Sequence, residues 1–207
     1  MTFFESVLDQ NNMTVALLRD EDFSHAIVES SEALRCLRRC ESALHDLPTN
    51  KDYTGALDQC LILSAIGENM AESGKPFIFD HGILLPLTMT DYTTISAILV
   101  FNSALSHQLW ATQNPAYAPG YLMKARQLYH LAYRMEDVEH NVMFQIAIIN
   151  NMVVIERSLG NEADSKKDFD LLLSLWILLL DLGYGPRLYA VRGFIANGPW
   201  IENASAA

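Results

Sequence analysis

The sequence predicts an all-α fold of antiparallel helical hairpins, and three observations lead to that prediction. The stretch NNMTV at residues 11–15 returns 139 positions later as NNMVV at residues 150–154. Each copy is followed by apolar residues at helical spacing, a polar turn and a second run with the same spacing. A third pair of such runs lies at residues 96–111 and 121–135. The chain therefore reads as one structural unit used about three times.

The first hairpin is predicted near residues 5–40, with its turn at the acidic sequence RDED, residues 19–22. Its second helix carries Phe23, Ala26 and Ala33 near helical spacing. Carboxylates stabilise helix N-termini, where the peptide dipoles leave a partial positive charge. A calcium loop would need a 12-residue pattern of oxygen ligands with a central glycine, and RDED lacks it. The cluster is therefore predicted to begin a helix.

The middle hairpin, near residues 93–135, has a longer loop, TQNPAYAPG, between its two helices. Proline and glycine mark that loop. In the second helix Ala125, Tyr129 and Ala132 are spaced to share one face. Small side chains beside a large ring let two helices pack closely, so this face is predicted to contact the first helix of the hairpin.

The last hairpin, near residues 141–182, turns at Gly160 and Asn161, a pair that suits the C-terminus of a helix. Its second helix contains LLLSLWILLL at residues 171–180, with an aspartate on each side. A membrane span needs about 20 apolar residues, so this shorter run predicts a buried helix and no membrane span.

The remaining segments are an irregular insertion near residues 48–92 and a capping helix near residues 187–196. Residues 53–72 have the pattern of a helix, whereas KPFIFDHGILLPLTMT at residues 75–90 predicts extended chain or a short hairpin between prolines. Residues 53–90 therefore form either a degenerate fourth hairpin or a mobile insertion. The apolar face of RLYAVRGFIA, residues 187–196, suits a helix that caps the last hairpin.

The pattern resembles the tetratricopeptide repeat, a helical hairpin of about 34 residues. Ala26, Ala125 and Tyr129 stand where that family places small and aromatic residues, whereas Ser30 and Ser165 depart from its pattern. The resemblance implies a right-handed superhelix of about three degenerate repeats. A single domain over residues 1–207 is expected.

Asn12, Asn102 and Asn151 occupy equivalent positions in the three copies. The resemblance implies that this position lies on the inner helix and faces a concave groove. An amide offers two donors and an acceptor, so a row of them suits a peptide backbone. The alternative is that each asparagine caps or bonds a neighbouring helix. Weaker candidate contacts, one or two helical turns along, are Arg19, Gln108 and Arg157.

The resemblance implies a protein-protein interaction module, an adaptor or scaffold, that binds a peptide or a partner helix in the groove. One alternative is a structural subunit of a homo-oligomer or larger assembly, which would use exposed apolar surface such as PFIFDHGILLPL. A small enzyme or ligand carrier would need a pocket around His81, His107 or His130. No nucleophile-elbow, phosphate-loop or dinucleotide motif supports an enzyme, and no cofactor is expected.

Charge and cysteine content narrow the partners further. The net charge of −11 would repel a nucleic acid backbone or an anionic lipid surface. Three cysteines without a basic and apolar leader indicate reduced thiols in an intracellular, cytoplasmic protein. Cys36 and Cys40 share a helix face, but without a second ligand pair they are predicted to be packing thiols rather than a metal site.

Overall fold

The computed structural model describes residues 3–44, 79–86, 91–135 and 141–181, and every regular element in them is an α-helix. In chain order the helices are α1 (Phe3–Arg19), α2 (Phe23–Leu44), α3 (Tyr92–Gln113), α4 (Ala118–Met135), α5 (Val142–Ser158) and α6 (Glu162–Asp181). The prediction of an all-α fold is confirmed for these residues. The superhelix stays a prediction, and the predicted helices at residues 53–72 and 187–196 lie outside the described residues.

The turn between α5 and α6 follows from the Gly160-Asn161 pair. Gly160 has a φ of 76°, the left-handed region that glycine adopts without steric cost. Its N–H donates to the carbonyl of Arg157 at 2.9 Å, and the N–H of Asn161 donates to the carbonyl of Glu156 at 2.8 Å. These two bonds form a Schellman motif, which satisfies carbonyls that the end of the helix leaves without a partner.

The turn between α1 and α2 has the same geometry, 139 positions earlier. Glu21 occupies the place of Gly160 and has a φ of 58°. Its N–H donates to the carbonyl of Leu18 at 3.3 Å, and the N–H of Asp22 donates to that of Leu17 at 2.9 Å. The sequence repeat therefore corresponds to a structural repeat in this turn, although the first copy places a glutamate where glycine is favoured.

The residue that closes each of these turns also begins the next helix. Asp22 Oδ1 accepts the N–H of His25 at 3.3 Å, and its Oδ2 lies 2.7 Å from His25 Nδ1. The hydrogen bond to His25 holds the pKa of Asp22 below its usual value. In the other hairpin the carbonyl of Asn161 accepts the N–H of Ser165 at 2.9 Å. Asp and Asn are both preferred at this position because their short side chains can satisfy helix N–H groups.

The chain divides into two compact units, and the prediction of a single domain stays a prediction. One unit contains α1 to α4 with residues 80–86. In it α1 packs against α2, α2 against α3 and α3 against α4. The small side chains that are predicted to let the helices pack closely are buried. Ala26, Ala33, Ala125 and Ala132 have no exposed surface. Tyr129 fills the space beside them and meets Phe101 edge-on, with ring centroids 5.6 Å apart.

The second unit contains Phe79, α5 and α6. Every third or fourth residue of α6 is buried, from Leu172 through Leu175 and Trp176 to Leu179, and this face belongs to a helix that packs against α5. Ser165 is also buried, and its hydroxyl donates to the carbonyl of Val153 at 3.2 Å. Burial of one large apolar side chain of α6, such as Leu172, contributes about 1.5 to 3 kcal/mol to the stability of the fold.

Two helices are buried on every face. All residues from 94 to 108 in α3, and from 142 to 156 in α5, are buried. Polar side chains inside such helices must find hydrogen-bond partners, since each unpartnered buried group costs about 1 to 3 kcal/mol. The buried amides of Asn102, Asn150 and Asn151 are therefore expected to form hydrogen bonds with groups of the protein rather than with solvent.

Candidate functional site

Residues 79–86, FDHGILLP, form a segment without regular secondary structure. In the first unit its side chains alternate between buried and exposed. Ile83 and Leu85 are 1% and 2% exposed, whereas Leu84 between them is 40% exposed. This alternation has the period of extended chain, and one of the two forms predicted for residues 75–90 was extended chain.

Two asparagines of the first unit hold the backbone of this segment. The N–H of Ile83 donates to Asn102 Oδ1 at 2.8 Å, and Asn102 Nδ2 donates to the carbonyl of Ile83 at 2.8 Å. In the same way, the N–H of Leu85 donates to Asn12 Oδ1 at 3.0 Å, and Asn12 Nδ2 donates to the carbonyl of Leu85 at 3.2 Å. One amide thus pairs with both backbone groups of one residue, an arrangement that we call an asparagine clamp.

The buried side chain of Asn11 joins these two clamps. Its Nδ2 lies 3.0 Å from the carbonyl oxygen of Ile83 and 3.3 Å from Asn12 Oδ1, and it donates toward both. Its Oδ1 accepts a hydrogen bond from Asn102 Nδ2 at 2.8 Å. Because each amide fixes the donor and acceptor sides of the next, the hydrogen bonds among the three asparagines help to orient their side chains toward the segment.

The second unit contains a clamp of the same form. The N–H of Phe79 donates to Asn151 Oδ1 at 2.8 Å, and Asn151 Nδ2 donates to the carbonyl of Phe79 at 2.9 Å. Asn150 Nδ2 donates to Asn151 Oδ1 at 3.2 Å, as Asn11 does to Asn12. Both side chains of this NN pair are fully buried. The doublet that repeats in the sequence is therefore a repeated hydrogen-bonding device.

Gly82 lets the backbone of the segment approach α1. A Cβ atom at this position would lie 3.0 Å from Leu18 Cδ1 and 3.0 Å from Val15 Cγ2. Both side chains are buried and have little room to move. An alanine at position 82 therefore requires that the side chains of Val15 and Leu18, or the segment itself, give way by a few tenths of an ångström.

The structure places the three predicted asparagines at the clamps, whereas the weaker candidates lie elsewhere on the same helices. Arg19 is exposed in the last turn of α1, and Arg157 is half-buried near the end of α5. Gln108 is buried, and its Oε1 accepts the hydroxyl of Tyr129 at 2.9 Å. Its Nε2 has no hydrogen-bond partner. The described contacts of Arg19 and Gln108 do not bring them to the segment.

The sequence-based selection missed Asn11, Asn150 and Gly82. The signal for the two asparagines was present, since both belong to the repeated NN doublet, but only its second member was selected. The expectation that PFIFDHGILLPL exposes apolar surface is wrong for Phe79, Ile83 and Leu85, which are all buried. They are buried because the clamps hold the backbone of this segment against the helices.

Other titratable groups form no second site among the described residues. His107 is 9% exposed, its Nδ1 lies 2.7 Å from the carbonyl oxygen of Ser103, and burial lowers its pKa below the usual value. Cys36 is a buried free thiol. Over the part of the chain that is described, no group of three or more His, Cys, Asp or Glu residues could hold a metal ion. None of the described helices is long and apolar enough to cross a membrane.

No protein-family model, no curated protein and no solved structure matches the chain. The class of protein is therefore defined by its described fold and site alone. Over the described residues it is all-α; in the first unit asparagines on α1 and α3 hold the backbone of Leu85 and Ile83, and in the second unit an asparagine on α5 holds that of Phe79.

Proposed function

We propose that the chain is a protein-protein interaction module, an adaptor or scaffold, that binds an extended segment of a partner protein through its asparagine clamps. The observation that carries the proposal is the pairing of one asparagine with both the N–H and the carbonyl of one residue, made at Phe79, Ile83 and Leu85. Such pairing recognises a backbone irrespective of its side chains, as a strand added to a sheet edge does.

The chemistry of the clamp favours an extended partner over a helical one. In a helix the N–H and carbonyl of interior residues already bond each other, so only the ends offer unpaired groups. Each residue of an extended segment presents both groups to one side. Neutral amides also suit a buried site, since a charged group there would carry a desolvation cost of several kcal/mol.

The overall charge and the cysteines support a protein partner inside the cell. A net charge of −11 disfavours nucleic acids and anionic membranes. An odd number of cysteines suits a reducing compartment such as the cytoplasm. No titratable group of the described site resembles a nucleophile paired with a base, and we propose a binding role rather than an enzymatic one.

A second candidate function is that of a structural subunit in a homo-oligomer or larger assembly. Leu173, Ile177 and Leu180 follow one another along one side of α6 and are 46%, 61% and 50% exposed. Exposed apolar rows of this kind often mark association surfaces. Light scattering across protein concentrations tests this candidate. A mass that rises with concentration, and returns to the monomer value in Ile177→Ser, would support it over a monomeric adaptor.

Affinity capture from the native cell, with mass-spectrometric identification of partners, tests the main proposal. The decisive comparison uses the wild type, Asn12→Ala and the triple variant with alanine at Asn12, Asn102 and Asn151. Asn12→Ala is the mildest change because its amide is only half-buried. Asn114→Ala is a matched control, since it removes an asparagine that bonds Trp110 outside the clamps.

Partners captured by the wild type and by Asn114→Ala should be lost from both clamp variants, provided that thermal melts show all chains folded at the capture temperature. Equal recovery of the same partners by the wild type and a folded Asn12→Ala would contradict the proposal.

A further inference from the structure

We infer that residues 82–85, Gly-Ile-Leu-Leu, are a built-in ligand of the first unit, and that the partner segment carries the same pattern of glycine, apolar residue, any residue and apolar residue. This inference rests on the proposed function and deepens it. It names the chemistry of the partner segment, and it identifies a competitor within the chain itself.

The competition follows from the hydrogen bonds of the clamps. Asn102 uses its Oδ1 and its Nδ2 on Ile83, and Asn12 uses both of its amide atoms on Leu85. Asn102 Nδ2 also donates to Asn11 Oδ1, and Asn12 Oδ1 also accepts from Asn11 Nδ2, so Asn102 has no donor left and Asn12 has no acceptor left for another residue. A partner backbone therefore enters these clamps only when residues 82–85 leave them.

The side chains of the occupant define the pattern that the site accepts. Gly82 faces Val15 and Leu18 so closely that a Cβ atom would meet both at 3.0 Å. Ile83 and Leu85 are almost fully buried, whereas Leu84 is 40% exposed. The site thus favours glycine at the first position and apolar side chains at the second and fourth, and it tolerates variation at the third.

Attachment to the same chain gives the occupant an advantage over any partner. A tethered ligand acts at an effective concentration of about millimolar, and the apparent affinity for a partner in trans is reduced in proportion to the fraction of chains whose site is open. Weakening the occupant without touching the clamps should therefore strengthen binding of a partner. Gly82→Ala makes that change, because it strains the segment and leaves Asn12, Asn102 and Asn11 in place.

The test measures fluorescence anisotropy of a labelled peptide, FDHGILLP, added to the full-length chain. The expected result is binding to Gly82→Ala that is about tenfold tighter, or more, than binding to the wild type, a change in the range that overpacking strain provides. Gly120→Ala is the matched control, since a Cβ atom at position 120 meets nothing within 4 Å. It should bind the peptide as the wild type does.

Two further arms test the clamp and the pattern. Adding Asn102→Ala to the Gly82→Ala chain should abolish binding. A peptide with alanine in place of its glycine should bind the Gly82→Ala chain at least about tenfold more weakly than FDHGILLP does. Equal binding of the peptide to wild type, Gly82→Ala and the double variant would overturn the inference. Loss of the helical circular dichroism signal in both Gly82→Ala and Leu85→Ala would also overturn it, because a ligand must be separable from the fold.

The peptide-binding experiment and the affinity capture can fail independently of each other. If Gly82→Ala binds the peptide as expected but no cellular protein is captured by any chain, the built-in ligand stands and the adaptor function fails. If partners are captured through the clamps but Gly82→Ala captures no more of them than Gly120→Ala, the adaptor function stands and the built-in ligand fails.

Discussion

Replacing Asn102 by alanine tests the energetic role of the clamps because this one side chain makes three hydrogen bonds. Its amide pairs with the N–H and the carbonyl of Ile83 and also donates to Asn11 Oδ1, each at 2.8 Å. Asn102 and Ile83 are each 1% exposed, so water does not replace the missing amide. After the substitution the carbonyl of Ile83 still accepts from Asn11, but the Ile83 N–H and Asn11 Oδ1 lose the partner that Asn102 supplies.

The cost follows from these two buried groups. Each unpartnered buried donor or acceptor costs about 1 to 3 kcal/mol, so the two together cost about 2 to 6 kcal/mol. Alanine returns about 0.5 kcal/mol because it is a better helix former than asparagine. A net loss of about 1.5 to 5.5 kcal/mol is large beside the total stability of a typical domain, about 5 to 15 kcal/mol.

Urea unfolding, followed by circular dichroism, measures this loss as a lower midpoint at an unchanged slope. Asn114→Ala is the control, since it removes one partly buried bond, from Asn114 Nδ2 to the carbonyl of Trp110 at 3.0 Å. Its expected cost is about 0.5 to 1.5 kcal/mol. If Asn102→Ala lowers the midpoint no more than Asn114→Ala, the reasoning from buried unpartnered groups is refuted.

Three further predictions concern other parts of the described structure. Gly82→Ala should lower stability by about 1 to 3 kcal/mol through its contacts with α1, whereas Gly120→Ala, in open space within α4, should be neutral or raise stability by about 0.5 kcal/mol; similar melting temperatures for the two would contradict the close approach at Gly82. Glu21→Gly should stabilise the protein by about 0.5 to 1 kcal/mol because Glu21 is left-handed, and Gly160→Ala should destabilise it by about 1 kcal/mol, as thermal melts will show; effects of the same sign would count against the shared turn geometry. Burial holds the pKa of folded His107 below the ordinary histidine value of about 6.5. The unfolded chain therefore binds the extra proton as the pH falls through about 6.5, so this contribution to stability is present above that pH and declines below it. Urea midpoints between about pH 7.5 and about pH 5 should fall less steeply in His107→Gln, and an unchanged slope would contradict this assignment.

The helices and their turns were predictable because the signals are local. Gly160-Asn161 encodes a left-handed turn in two residues, and the burial of Ala125 and Ala132 follows from helical spacing. The equivalence of Asn12 and Asn151 was visible because it repeats at a fixed distance, and Asn102 was found in a looser copy. The turn and the buried alanines involve residues within a few turns of one another, and the equivalence of the asparagines depends only on the repeat of the sequence itself.

The partner of the asparagines was not predictable from these patterns. Asn12 and Leu85 are 73 positions apart, and nothing in the local sequence of either one specifies that pairing. FDHGILLP has the apolar content of an exposed binding surface and equally that of a buried strand, because composition does not reveal which side chains are covered. The sequence therefore identified side chains suited to a peptide backbone, and the structure identified the backbone that they hold.

Hydrogen exchange at single amides tests most directly the central claim, that asparagine side chains hold the backbone of residues 82–85. Ile83 and Leu84 are neighbours, but of these two only Ile83 donates its N–H to a clamp asparagine, at Asn102 Oδ1. The Ile83 amide should exchange about 100-fold more slowly than that of Leu84, equal to an opening free energy of about 2.7 kcal/mol, and Asn102→Ala should remove most of that difference. Equal exchange rates of the two amides in the wild type, after correction for intrinsic rates, would contradict the clamps and the functions proposed from them.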